Sequence, residues 1–126
     1  DMNNVVLIGR LTREPEIRYT EAQLAIARLN LAVDRQKAKD KEAGADFINI
    51  VAFGKTAEAI ERFTDKGKKL ALQGRIQTGS YVNKDGNKVY TTDVIADRVE
   101  FLEWKDREED NDLPAGFEQL DEELPF

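Results

Sequence analysis

The 126-residue chain contains no cysteine and no histidine. Without cysteine there are no disulfides and no thiolate metal site, and a reducing interior is compatible with the composition. Without histidine the commonest general base and the commonest metal ligand are missing. No apolar run approaches the roughly 20 residues that span a bilayer. No basic-then-apolar leader opens the chain, so nothing points to export. Gly54-Lys55-Thr56 resembles the close of a phosphate-binding loop, but the glycine required five positions before Gly54 is Asn49. Asp110-Asn111-Asp112 lacks the glycine and the closing glutamate of a calcium loop. No nucleophile–base pair can be assembled. On the enzymatic side this leaves only a carboxylate-based Mg²⁺ nuclease, since acidic residues alone can hold that ion. Otherwise no catalytic residue, cofactor or metal is expected.

What is there is a charge split. Residues 106–126 hold nine Asp/Glu and one Arg, a net of −8, whereas residues 1–105 hold 18 Lys/Arg and 16 Asp/Glu, a net of +2. A mildly basic body with an acidic tail is a different object from a uniformly acidic protein. A body of that size can bury one modest core. The tail ends Phe117-Glu-Gln-Leu-Asp-Glu-Glu-Leu-Pro-Phe126. This tip has the form of a ligand: an apolar plug with a free α-carboxylate and flanking acids, suited to a basic-rimmed pocket on another protein. The competing reading is a disordered solubilising tail. Residues 105–116, charged and then Leu-Pro-Ala-Gly, are expected to be a flexible linker.

The body reads as short strands with one helix. Val5 to Ile8 is an apolar run ended by Gly9, expected to be a buried strand. From Ala25 to Val33 the residues Ala27, Leu29, Leu31 and Val33 share one face, with Arg28 and Asn30 on the other. From Phe47 to Phe53, Ile48, Ile50 and Ala52 face one way, and Phe47, Asn49, Val51 and Phe53 the other. Ala57, Ile60 and Phe63 then recur at three-residue spacing, with Thr56 as N-cap, Glu58 in the first turn and Gly67 as the residue past the C-cap. Lys69 to Ile76 and Thr91 to Leu102 complete the strands. Asp85-Gly86 predicts a two-residue type I′ hairpin turn, which pairs Tyr81 with Tyr90 and puts Tyr81, Asn83, Lys88 and Tyr90 on one face. Five strands with one helix between the third and fourth make an all-β, five-stranded Greek-key barrel of the OB type, with the acidic C-terminal tail beyond it.

The order and spacing of several segments resemble the bacterial single-stranded DNA-binding protein family over almost the whole chain. They are Asn4-Val-Val-Leu-Ile-Gly-Arg-Leu-Thr12, Pro15-Glu-Ile-Arg-Tyr-Thr20, Asp46-Phe-Ile-Asn49, Ala52-Phe-Gly-Lys-Thr-Ala-Glu58, Lys66-Gly-Lys68, Gly74-Arg-Ile-Gln-Thr78 and the terminal Leu124-Pro125-Phe126. The resemblance implies a non-enzymatic OB-fold domain over residues 2–104, the 105–116 linker and a partner-binding tip at 117–126. It implies stacking of single-stranded DNA bases on Phe47, Phe53 and Tyr81. It also implies a homotetramer in the cytoplasm, at the bacterial nucleoid or replication forks. Replication and repair enzymes (helicases, nucleases, recombination mediators) would dock on Asp121, Glu122, Glu123, Leu124, Pro125 and Phe126.

A sequence-tolerant binder of single strands needs aromatic platforms and a basic groove. Phe47 and Phe53 stand six residues apart on one strand face, about 20 Å at ~3.3 Å per residue, which suits several nucleotides. The bland alternative places both rings in the core. Tyr81 and Tyr90 could instead be a cross-strand pair steadying the hairpin. Candidate phosphate contacts are Arg10, Arg18, Arg35, Lys37, Lys55, Lys68, Arg75, Lys84 and Lys88; each alone is an ordinary surface charge. The family usually carries an aromatic platform near position 36 or 37, where this chain has Gln36 and Lys37, and Gly79 stands where many members carry Arg. Trp104 is expected to pack at a barrel end. A reading with the same fold and another task is a recruitment adaptor that binds nucleic acid weakly.

Overall fold

In a computed structural model, residues 1–36 and 44–105 are described. Lys37, residues 106–116 and the 117–126 tip lie outside them. Period-two alternation builds β1 (Val5–Leu11), β2 (Glu16–Tyr19), β3 (Ala25–Asp34), β4 (Ala45–Phe53), β5 (Lys69–Val82) and β6 (Lys88–Phe101), with α1 (Gly54–Phe63) between β4 and β5. The order is β1-β5-β6-β4-β3-β2, and an added β1–β3 pairing closes five of the six strands into a barrel. Among the described strands only β4 and β6 run parallel to each other. This is the expected OB-fold barrel, and the helix falls between its third and fourth strands.

The sixth strand, β2, is a finding beyond the sequence reading. Glu-Ile-Arg-Tyr has one inward residue, Ile17, which packs against the core. It is held by the first half of the ten-residue β3, whose far end pairs with β1. Alternation fills the barrel with Ala27, Leu29 and Leu31 of β3, Ile50 and Ala52 of β4, and Leu70 and Leu72 of β5. Burying each leucine or isoleucine contributes about 1.5–3 kcal/mol. The expected burial of Val5 to Ile8 holds only for alternate residues. Val5 and Leu7 pack on the core, but Val6 is 66% and Ile8 51% exposed.

Helix α1 covers one barrel end with Ala57 and Ile60, as the three-residue spacing implied. Its caps differ from expectation. The helix begins at Gly54, Phe53 occupies the N-cap with no side-chain cap, no acid lies in the first turn, and Thr64 is the C-cap. Gly67 lies beyond it in a separate turn, where its N–H donates to the Leu11 carbonyl at 2.8 Å. Trp104 packs at this end as expected, with its ring edge-on to Phe63 at 5.5 Å and tilted on Phe101 at 5.9 Å.

The hairpin also departs from its predicted register. Ser80 lies opposite Tyr90, Tyr81 opposite Val89, and Val82 opposite Lys88. The cause is Asn83, whose Oδ1 accepts from the N–H groups of both Asp85 and Asn87 at 3.0 Å. That capture closes a three-residue loop, Lys84-Asp85-Gly86, with Gly86 at φ 83°, which only glycine adopts freely. Tyr81 and Tyr90 therefore point to opposite faces of the ribbon.

Candidate nucleic-acid interface

The registers join five strands into one continuous outer face. Phe53 is level with Ile26, Val51 with Arg28, Asn49 with Asn30, and Phe47 with Ala32. Beyond β3, Arg18 lies beside Ile26 and Glu16 beside Arg28. On the other side Val51 meets Ile95, which pairs with Arg75, and the same alternation leads along the hairpin to Tyr81. Phe47, Phe53 and Tyr81 thus share one surface, at 68, 43 and 56% exposure. Core phenylalanines would be covered; these rings are open for stacking.

The charges sort into groups. On the aromatic face, Arg18 pairs with Glu16 at 2.7 Å and Arg75 donates to Gln77 Oε1 at 3.0 Å. Arg35 donates from Nε and a terminal nitrogen to Asp46 Oδ1 at 2.9 and 2.7 Å. That hydrogen bond holds the Asp46 carboxyl below its ordinary value and raises Arg35. Arg10 is brought elsewhere: it lies on the outer side of β1, bonded to Glu103 and to the Gly67 carbonyl. Its hydrogen bond lowers the Glu103 pKa, and Arg10 is raised in turn. Lys55 is the second residue of α1, Lys68 directly precedes β5, and Lys84 is in the hairpin loop. Lys88 stands on the ribbon face opposite Tyr81, with its Nζ 5.3 Å from the Tyr90 ring centre.

Arg28 is the residue that sequence reasoning passed over. Alternation had put it on the polar side of β3, but only the β3–β4 register brings it between the two phenylalanines. A chain of polar side chains crosses the same place: Thr12 Oγ1 donates to Asn30 Oδ1 at 2.9 Å, and Asn30 Nδ2 donates to Asn49 Oδ1 at 3.0 Å. Open rings, guanidinium groups and oriented amides on one face can stack bases and hold phosphates. Among the described residues no group of three or more acids could hold a metal ion, and no helix is long and apolar enough to cross a membrane.

The chain is similar to known proteins of one family. Residues 2–102 match the model of the single-strand binding protein family. A single-stranded DNA-binding protein of Clostridium tetani is 49% identical over 108 residues, covering 85% of this chain and 74% of its own length. Single-stranded DNA-binding protein 4 of Streptococcus agalactiae is 44% identical over 139 aligned positions, covering 99% of both chains. Single-stranded DNA-binding protein 1 of Staphylococcus aureus is 43% identical over 109 residues, with 86% and 70% covered.

Proposed function

The chain belongs to the single-strand binding protein family, and from that premise we propose that it coats single-stranded DNA with little regard to sequence. The observation that carries the reading is the shared face of Phe47, Phe53 and Tyr81, flanked by Arg18, Arg28 and Arg75. It is a binding protein and not an enzyme. Bases stack on the three rings, and cations near them follow the phosphates. Arg10, Arg18 and Arg35 are the weaker candidates for phosphate contact because each is already bonded to a carboxylate, which leaves Arg28 and Arg75 as the stronger ones.

In this reading the barrel, residues 2–104, serves replication, recombination and repair, and the linker carries the tip to partner enzymes. Four copies assemble. The Val5–Gly9 edge of β1 that does not face β5 is unpaired along most of its length, and Val6 and Ile8 are exposed beside it, so a second copy would cover both. The test is a fluorescence titration with oligo-dT at two salt concentrations, with mass measured by light scattering. Binding that weakens steeply with salt, and a mass near four times 14.3 kDa, are expected. No binding at low salt would overturn the DNA reading, and a monomer at micromolar concentration would overturn the assembly.

The tail has its own expected outcome. Deleting residues 106–126 removes a net charge of −8 and leaves a body of +2. Binding to oligo-dT should then tighten, most visibly at moderate salt, because the tail competes for the same cations. Deleting Phe126 alone should abolish docking of helicase or repair partners and leave DNA affinity intact. The Phe126 ring, stiffened by Pro125, would fill an apolar pocket with a basic rim. A full-length affinity matched by the truncated chain across the salt series would show that the tail stays clear of the interface.

A further inference from the structure

Strands β4 and β6 run side by side only at Ile50–Val94 and Val51–Ile95. Beyond that point the two separate, leaving an open cleft of about 460 Å³ on the interface. Arg28, Asn49 and Asp93 are among the residues that line it, and Asn49 lies between Phe47 and Phe53 on β4. A strand crossing both phenylalanines therefore passes the cleft. Its volume is in the range of ordinary small-ligand sites, ample for one nucleobase.

Beside the guanidinium groups of Arg13 and Arg28, which can meet phosphates, two groups in the cleft can read a base. The Asn49 Oδ1 is occupied by Asn30 Nδ2, so its own Nδ2 is left to donate. Asn30 is fixed in turn by Thr12, so the amide is set before a ligand arrives. Asp93 is partly buried, and among the described residues no hydrogen bond or ion pair engages its carboxylate. Glu16, the other acid in the cleft, is already held by Arg18. An open carboxylate beside a phosphate chain is repulsive. It becomes favourable where a neutral donor meets it. A base edge supplies such donors.

We infer that this cleft reads the edge of one base, with Asn49 Nδ2 donating to a ring nitrogen or carbonyl and the Asp93 carboxylate accepting from an exocyclic amino group. Cytosine offers that pattern: N3 and O2 accept, and the N4 amino group donates. Thymine places the O4 acceptor where cytosine has its donor, so it sets oxygen lone pairs against the carboxylate. The cleft thus gives a modest preference for cytosine over thymine at one position of an otherwise sequence-tolerant surface. This inference rests on the single-stranded DNA reading above.

The experiment uses the full chain and oligo-dC, oligo-dT and an oligonucleotide of 2-pyrimidinone deoxynucleotides, which lack the amino group of cytosine. The wild-type chain should bind the 2-pyrimidinone oligomer about fivefold more weakly than oligo-dC, the effect of one lost hydrogen bond. Asp93→Asn should remove that difference and lower the dC-to-dT affinity ratio by about the same factor. Equal tightening toward dC and dT would mean that Asp93 acts only as a repulsive charge, and the inference falls. It also falls if the wild-type chain binds dC and 2-pyrimidinone oligomers equally, a measurement that does not depend on the variant folding. Absence of binding to every oligomer would instead defeat the DNA reading itself.

Discussion

Phe47→Ala should weaken binding to oligo-dT by about 1–3 kcal/mol, roughly 5- to 150-fold, with the unfolding midpoint almost unmoved. Phe53→Ala should do the same, with a slightly larger cost in stability because its ring is less exposed, 43% against 68%. A phenylalanine in the core would cost about 3–5 kcal/mol of folding stability when truncated. These two rings stand on the outer face of β4, and Ile48, Ile50 and Ala52 face inward between them. Replacing both rings should leave a folded chain that holds DNA mainly through charge, with a steep salt dependence retained. Variants that unfold early, yet bind normally while folded, would remove stacking from the account.

The face that carries these rings was legible because period two is a local property. Asn49 between two phenylalanines, with isoleucines alternating, was enough to assign sides of β4. The barrel followed from the count of such segments and the change to three-residue spacing at Ala57. Other features depend on partners distant in sequence. Strand β2 has too few apolar residues to declare itself and exists because β3 offers an edge. The Arg10–Glu103 contact spans 93 residues. Arg28 gains its place from the β3–β4 register, which no single strand reveals. The hairpin failed for a different reason. Asp85-Gly86 favours a two-residue turn, but the Asn83 side chain captured two backbone N–H groups and a three-residue loop won. That single-residue slip moved Tyr90 to the face opposite Tyr81 and left Tyr81 where the phenylalanines are.

Gly74→Ala should be among the most damaging single substitutions in the barrel, costing about 3 kcal/mol, the upper end of the overpacking range. A Cβ there would fall on the Ile95 carbonyl, 2.8 Å from its carbon and closer still to its oxygen, and these are backbone atoms that cannot swing aside. The site matters because the β5–β6 register shifts between Gln73 and Gly74. Gly74 is also the last residue of β5 opposite β1, where it meets Val5. At this point β5 leaves the closed barrel and becomes the arm that carries Tyr81. A bulge bends and twists a strand, so its geometry sets where that ring stands relative to Phe47 and Phe53. Forcing the strands apart should therefore lower the urea midpoint and also weaken oligo-dT binding by the fraction that remains folded. Gly79→Ala is the control: its Cβ would meet only the Thr91 hydroxyl at 3.2 Å, an atom that can rotate away. If Gly74→Ala matched Gly79→Ala in both midpoint and affinity, the close approach at Ile95 would not be what aims the arm.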